Sequence, residues 1–436
     1  MRNLRRGAGL LATAVAIALA GCSVESSDKA DPQAGAEASP EAFPAPPAPA
    51  ISPGVTDDEI KIGFVYPDLE KVRQYIAIDH GDYEATFTAL VDKVNEAGGV
   101  NGRKLVPVFG AVNTLSPAGA QETCVRLTQD EKVFAVVGSL NADEPLCYLQ
   151  THQTAVIGGP LTAARYAKAK APWFSDQRGG DEVEGGIEQY AAGGALNGKK
   201  VAVIATADDK DTVDSIVLPA LKRAGVTPTE VSVVAVDLND EAATNQQFNV
   251  SIEKFQTAGV DTVIVATRAT VQFSRQLAKT AYRPTLLFTD RNSVASFVRA
   301  KENEPNLVAL QNSTGIGTYA DITEKGFAEC ARIAEEAIPE IRGKIVDPNN
   351  VPRGAPNYAI SVGVSCTALR LFQAIAGKAG RDLTYQTFQE AGFSLGPFRT
   401  PAAADEATYG PQTPHGNIPP HLFDFDSKTG TFVLRD

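Results

Sequence analysis

Apolar positions change their period along this chain, and the changes mark its elements. Phe87, Leu90, Val91 and Val94 fall at i, i+3, i+4 and i+7, which predicts a helix with one buried face. Gly98 and Gly99 stop it, Asn101-Gly102 turns the chain, and Lys104–Phe109 reads as the next strand. Glu59–Tyr66 reads as the strand before that helix, so the first fifty residues of the pattern spell strand, helix, strand. Ser116-Pro117 opens another helix, and Lys132–Gly138 is nearly continuous in apolar residues, as a strand buried on both faces requires. A helix over 143–153 and a strand at 155–158 follow. A second block repeats the grammar: helix 182–195, strand 199–205, helix 211–224, strand 230–235, helix 245–257, strand 261–266, helix 270–281 and strand 285–288. Two runs of β–α units predict two α/β lobes with parallel, doubly wound sheets. The tail differs, with helices near 321–337 and 356–377, a Pro- and Gly-rich loop over 395–420, and a closing hairpin about Lys428–Gly430.

The N-terminal residues follow neither period. Arg2, Arg5 and Arg6 precede an uncharged apolar run, Gly7 to Ala20, too short to span a bilayer. The run ends in Leu19-Ala20-Gly21-Cys22, which resembles the lipobox of bacterial lipoproteins. That resemblance implies a signal peptide over 1–21, cleavage before Cys22, an acylated thiol, and an exported protein held at the outer face of a membrane. Residues 22–54 are rich in Pro and Ala and are expected to form a tether that lifts the folded body off the membrane.

Composition narrows the function. The 436 residues are 43% hydrophobic and 21% charged, the balance of a globular protein. A net charge of −12 opposes binding to nucleic-acid phosphate. His80, His152, His415 and His421 are scattered without metal-ligand spacing, and no phosphate-binding glycine loop follows a strand, so no metal or cofactor is expected. Gly392-Phe-Ser-Leu-Gly396 matches G-x-S-x-G, with Asp405 and His415 following in hydrolase order. A nucleophile elbow needs a strand before Ser394 and a helix after it, whereas here a helix precedes and prolines follow. A serine hydrolase is the remote alternative.

Gly54–Gly63, Asn95–Lys104, the Lys132–Gly138 strand and the order of elements resemble the type I periplasmic binding proteins, branched-chain amino-acid subfamily. The resemblance covers residues 54–310 well and the remainder in layout. It implies two lobes joined by a three-strand hinge, with lobe 1 over 55–177 and 316–405 and lobe 2 over 178–315 and 406–436. It also implies a non-enzymatic protein that closes on a small polar solute (an amino acid, amide or small carboxylate) and presents it to the permease of an ABC transporter. The competing class is a sensor on the same fold that signals closure to a partner.

Ligands of open parallel sheets bind beyond the carboxyl ends of the strands. In lobe 1 this selects Tyr66, the Ser139–Ala142 loop and the Pro160–Thr162 loop. The resemblance puts the family's carboxylate-holding contacts on Leu140, Asn141 and Ala142, and on Pro160 and Thr162. Lobe 2 adds Asp208, Arg268 and Asp290, each just beyond a strand. Asn141-Ala142-Asp143 stands where the family often has a Ser-rich loop, so amino-acid specificity does not carry over. With Cys22 committed to lipid, Cys124, Cys147, Cys330 and Cys366 allow three pairings. An oxidising compartment and near-neighbour pairing favour Cys124 with Cys147, where the family sometimes has a bridge, and Cys330 with Cys366.

Overall fold

The computed structural model describes residues 43, 46–73, 78–114, 116–141, 144–177, 180–237, 240–352 and 355–435. Cys22 and Ala142 lie outside them. Among the described residues the chain first builds a parallel sheet in the order β2-β1-β3-β4-β5. Its strands are β1 (Glu59–Pro67), β2 (Lys104–Val112), β3 (Ala135–Gly138), β4 (Ala155–Ile157) and β5 (Trp173–Phe174). The predicted helix is Tyr83–Glu96; Asp82 caps it by accepting from the N–H of Ala85, and Phe87, Leu90, Val91 and Val94 are buried. Phe87 stacks on Phe64 of β1 with ring centroids 4.0 Å apart. That contact sits at the centre of the sheet–helix interface, where burying each ring contributes about 2 kcal/mol.

The turn after this helix is a structural joint. Asn95 exchanges two hydrogen bonds with the backbone of Leu105, at 2.9 and 2.8 Å. Arg103, 7% exposed, donates to the carbonyls of Thr56 and Arg381. Asn101 donates to the carbonyl of Ala376, near the end of helix Tyr358–Ala379. The turn therefore ties β1, β2 and the tail at the amino ends of the strands. The 358–379 helix is long and apolar enough to cross a membrane, but most of it is buried in the first lobe's core.

The second sheet runs β14-β13-β10-β9-β8-β6-β7. Its parallel strands are β6 (Val201–Thr206), β7 (Glu230–Val234), β8 (Thr262–Val265), β9 (Thr285–Phe288) and β10 (Ser313–Gly317). Beyond β10 the chain returns to the first lobe, where β11 (Gly396–Phe398) pairs with β12 (Ala407–Tyr409). It then crosses back into β13 (His421–Asp426) and the antiparallel β14 (Thr431–Leu434). The chain thus passes between the sheets three times.

Two expected boundaries move. The return to the second lobe does not begin at 406: Ala407, Tyr409 and Ile418 are buried in the first lobe's core, and the Tyr409 hydroxyl donates to the carbonyl of Ser175 at 3.0 Å. The tether also ends before 54. Phe43 is 2% exposed and its ring meets His415 edge-on at 4.7 Å and Trp173 at 6.2 Å. Gln389 then donates to the carbonyl of Pro46, and the N–H groups of Gln386 and Tyr385 donate to those of Pro49 and Ile51. A proline-rich segment without periodicity builds no core of its own, yet one aromatic side chain fills a gap in a core built by others.

Cys124 and Cys147 lie 2.08 Å apart at their sulfurs, and Cys330 and Cys366 2.00 Å apart. The first pair ties neighbouring helical segments of the first lobe, and the second ties helix Lys325–Ala337 to the 358–379 helix.

Phe43→Ala should destabilise the first lobe by roughly 3 kcal/mol, the cost of a large ring removed from a packed site. Chemical denaturation checks this, and an unchanged midpoint would mean that the segment is not part of the core.

Candidate functional site

Within each sheet the parallel strands end in loops at one edge, after β1, β3, β4 and β5 in the first sheet and after β6, β8 and β9 in the second. Close approach of the strands is built into glycine. Gly138 and Gly158 end β3 and β4 with φ of 119° and 124°. A Cβ on Gly138 would sit 2.3 Å from the carbonyl oxygen of Val65, and one on Gly158 would sit 2.3 Å from that of Gly138.

In the first lobe most of the expected ligand groups already have partners. The Asn141 N–H donates to Glu144 at 2.9 Å, half of a capping box, so a donor expected to hold a ligand carboxylate is held by the chain's own. Burial raises the pKa of that Glu144 carboxyl, and the Asn141 N–H opposes the shift. Leu140 is 2% exposed and packs beside Gly159; its side chain belongs to the core. Thr162 is the N-cap of helix Ala163–Tyr166, its hydroxyl accepting from the Arg165 N–H at 3.3 Å, which leaves the hydroxyl proton free to donate. Pro160 is half-buried beside it. Tyr66 stacks on Tyr83 at 5.4 Å and donates its hydroxyl to Glu84. Burial, and then the Glu84 bond, push that phenol above its ordinary pKa.

In the second lobe the acid that organises the floor is Asp209, next to the expected Asp208. Asp209 accepts from the Arg268 N–H at 2.9 Å and from the Thr206 hydroxyl at 3.4 Å, stitching the end of β6 to the end of β8. Burial raises its pKa, and the Arg268 contacts oppose the shift. Asp208 stays exposed, with Arg268 Nη1 at 3.5 Å. Asp290 is a cap: it accepts from the N–H groups of Asn292 and Ser293 at the start of helix Arg291–Arg299. Both of its carboxylate oxygens are thus engaged at the helix start.

Two further charged groups stand near the crossings. Asp176 follows β5 at the first crossing, next to Ser175, whose carbonyl takes the Tyr409 hydroxyl. Deep packing raises its pKa although water still reaches the residue. Arg291 is 8% exposed, its guanidinium 4.5 Å from the ring centroid of Phe423, and its aliphatic stem lies against Gly317. Nothing in the local sequence marks either: Asp176 reads as a loop acid, and Arg291 as an ordinary first-turn residue.

The hydrolase order is not assembled. Ser394 ends helix Tyr385–Phe393 with its hydroxyl donating to the carbonyls of Glu390 and Ala391. Asp405 pairs with His421 at 2.7 Å, and His415 Nδ1 accepts from the Asn417 N–H.

A family model described as periplasmic binding protein matches residues 59–290. No curated protein sequence matches the chain. Among solved structures, a type 1 periplasmic binding protein from Bordetella pertussis Tohama I is similar with a TM-score of 0.62 at 15% identity, over 87% of this chain and 100% of that one. An ABC transporter substrate-binding protein from Desulfitobacterium hafniense in complex with Leu is similar with a TM-score of 0.59 at 15% identity, over 87% and 100%. A solute-binding protein of an ABC transporter from R. palustris in complex with benzoate is similar with a TM-score of 0.56 at 13% identity, over 86% and 95%. At these identities the likeness establishes the fold.

Asp176→Asn should stabilise the protein at neutral pH. The folded state raises this carboxyl above its ordinary 3.8, so ionisation costs stability as pH rises through that window. The gain over wild type should shrink as pH falls toward 3.8, which thermal melts across pH will read. A gain that persists unchanged into acid would rule out the buried charge as its source.

Proposed function

The chain belongs to the periplasmic binding protein family, and from that premise we propose that it is an extracytoplasmic solute-binding lipoprotein serving an ABC transporter. It captures a small polar solute between its lobes, closes on it, and delivers it to the membrane permease. The observation that carries this reading is the pair of largely parallel sheets joined by three crossings, in a chain that matches the family over residues 59–290. A solute touching both floors binds the closed arrangement more tightly than the open one, and that difference is what drives closure.

The groups left over after capping outline the solute. The first lobe offers the hydroxyl proton of Thr162 and the edge of Tyr66. The second offers the exposed Asp208–Arg268 pair. Leu and benzoate, held by two of the similar proteins, are both small carboxylates. Arg268 suits such a group, whereas the Asn141 loop, with Glu144 on its N–H, suits an amide or amine. An amino acid, an amide or a small carboxylate therefore remains the class of choice.

The sequence supports the anchor. Cys22, after the apolar run and its small residues, is the acylation point.

A thermal-shift screen of amino acids, amides, polyols and small carboxylates should find a solute that raises the melting temperature and compacts the protein in solution scattering. A chain that no small molecule stabilises, and whose scattering never changes, would not be a capture protein. Cys22→Ser should release the protein from the membrane fraction; retention of that variant would remove the lipid anchor.

A further inference from the structure

The connection between helix Lys325–Ala337 and helix Tyr358–Ala379 is rooted in the first lobe at both ends but lies on the second in its middle. At its start Ile341 is buried in the first core and the Gly343 N–H donates to Glu335 at 2.8 Å. At its end the Asn357 N–H donates to the carbonyl of Asp79 at 2.8 Å. Between them, Arg299 at the end of the second lobe's 291–299 helix donates from Nη1 to the carbonyl of Pro348 at 3.0 Å. Val351 is 9% exposed. Together with Pro348 and Pro352 it meets Val298, Arg299 and Phe432 around a cavity of about 200 Å³. Charge follows the same seam. Burial disfavours the Arg299 guanidinium, Arg291 opposes it further, and Asp347 of the connection supports it. His80 of the first lobe also faces Arg299; burial, and then that cation, lower its pKa to about 4, so it meets the guanidinium uncharged at neutral pH.

We propose that residues 342–352 form a latch, an arm of the first lobe seated on the 291–299 helix of the second, which restrains opening of the cleft without any ligand. The contact lies along β14 and the last turn of the 291–299 helix, and Asp347 also supports the Arg291 guanidinium at that helix's start. The latch deepens the capture reading and rests on it, because it regulates the same cleft. Its contacts share the closing free energy with the solute, so the arm sets how far the empty protein opens and how tightly a given solute binds.

Hydrogen exchange on the full chain, read by mass spectrometry, tests this. Arg299→Met removes the bridging donor from the second lobe, and Pro348→Ser/Val351→Ser loosens the arm from the first. Each should speed exchange at the cleft edges, residues 139–151 and 206–212, by roughly tenfold, the worth of one charge-assisted hydrogen bond. The 358–379 helix should stay protected. Faster exchange confined to 291–299 and 342–352 would overturn the latch, since the arm would then be a local ornament. Loss of protection across the 358–379 helix in one variant would report unfolding, and the variant on the opposite lobe then decides. Cleft edges that loosen in a protein no solute stabilises would retain the latch and remove the capture reading.

Discussion

Every parallel strand that ends at the cleft is followed by a helical segment whose first N–H groups have no partner within it. Those donors must be met, and meeting them shapes this site. The chain meets some of them itself: Asp82, Glu144, Thr162 and Asp290 each accept from a backbone N–H at a helix start, and Asp209 accepts from that of Arg268. At these starts a donor that could hold an anion is thus already paired within the chain. What remains is a smaller set of side-chain groups on the two floors. In the proposed capture of a solute, Asp208, Arg268 and the Thr162 hydroxyl are the groups left to select it.

The same accounting separates what was legible from what was not. The loops that face the cleft could be chosen from the order of strands and helices, because topology alone puts them at one edge. The roles of residues within those loops could not. Thr162 and Asp290, expected to hold ligand, are also helix caps, because a polar residue before a helix satisfies either demand with the same chemistry. Asp208 and Asp209 are adjacent acids in the chain, and only the approach of β8 to β6 decides that the second turns inward to Arg268.

Long-range packing hid the remainder. Phe43 stands in a Pro–Ala segment without period, and its burial depends on a gap bounded by Trp173 and His415, which come from distant parts of the chain. The later limit of the first lobe depends on Tyr409, whose hydroxyl reaches the carbonyl of Ser175 across 234 residues of sequence. The arm over the second lobe has Pro and Asn in a turn-rich stretch and reads as a surface loop until Val298 and Phe432 are seen beneath it.

The alternating α/β pattern, the two blocks and the stop after the 83–96 helix followed from the sequence itself, because each rests on local periodicity and turn chemistry. The four cysteines allowed three pairings and favoured the near-neighbour one; the structure joins Cys124 to Cys147 and Cys330 to Cys366. Tertiary structure alone decided which cleft acids are caps and which face solvent, where the tether becomes part of the body, and how one lobe reaches over the other. Those outcomes are set by groups that meet only after the strands have been ordered, and the energies involved are those of burial and paired donors rather than of local propensity.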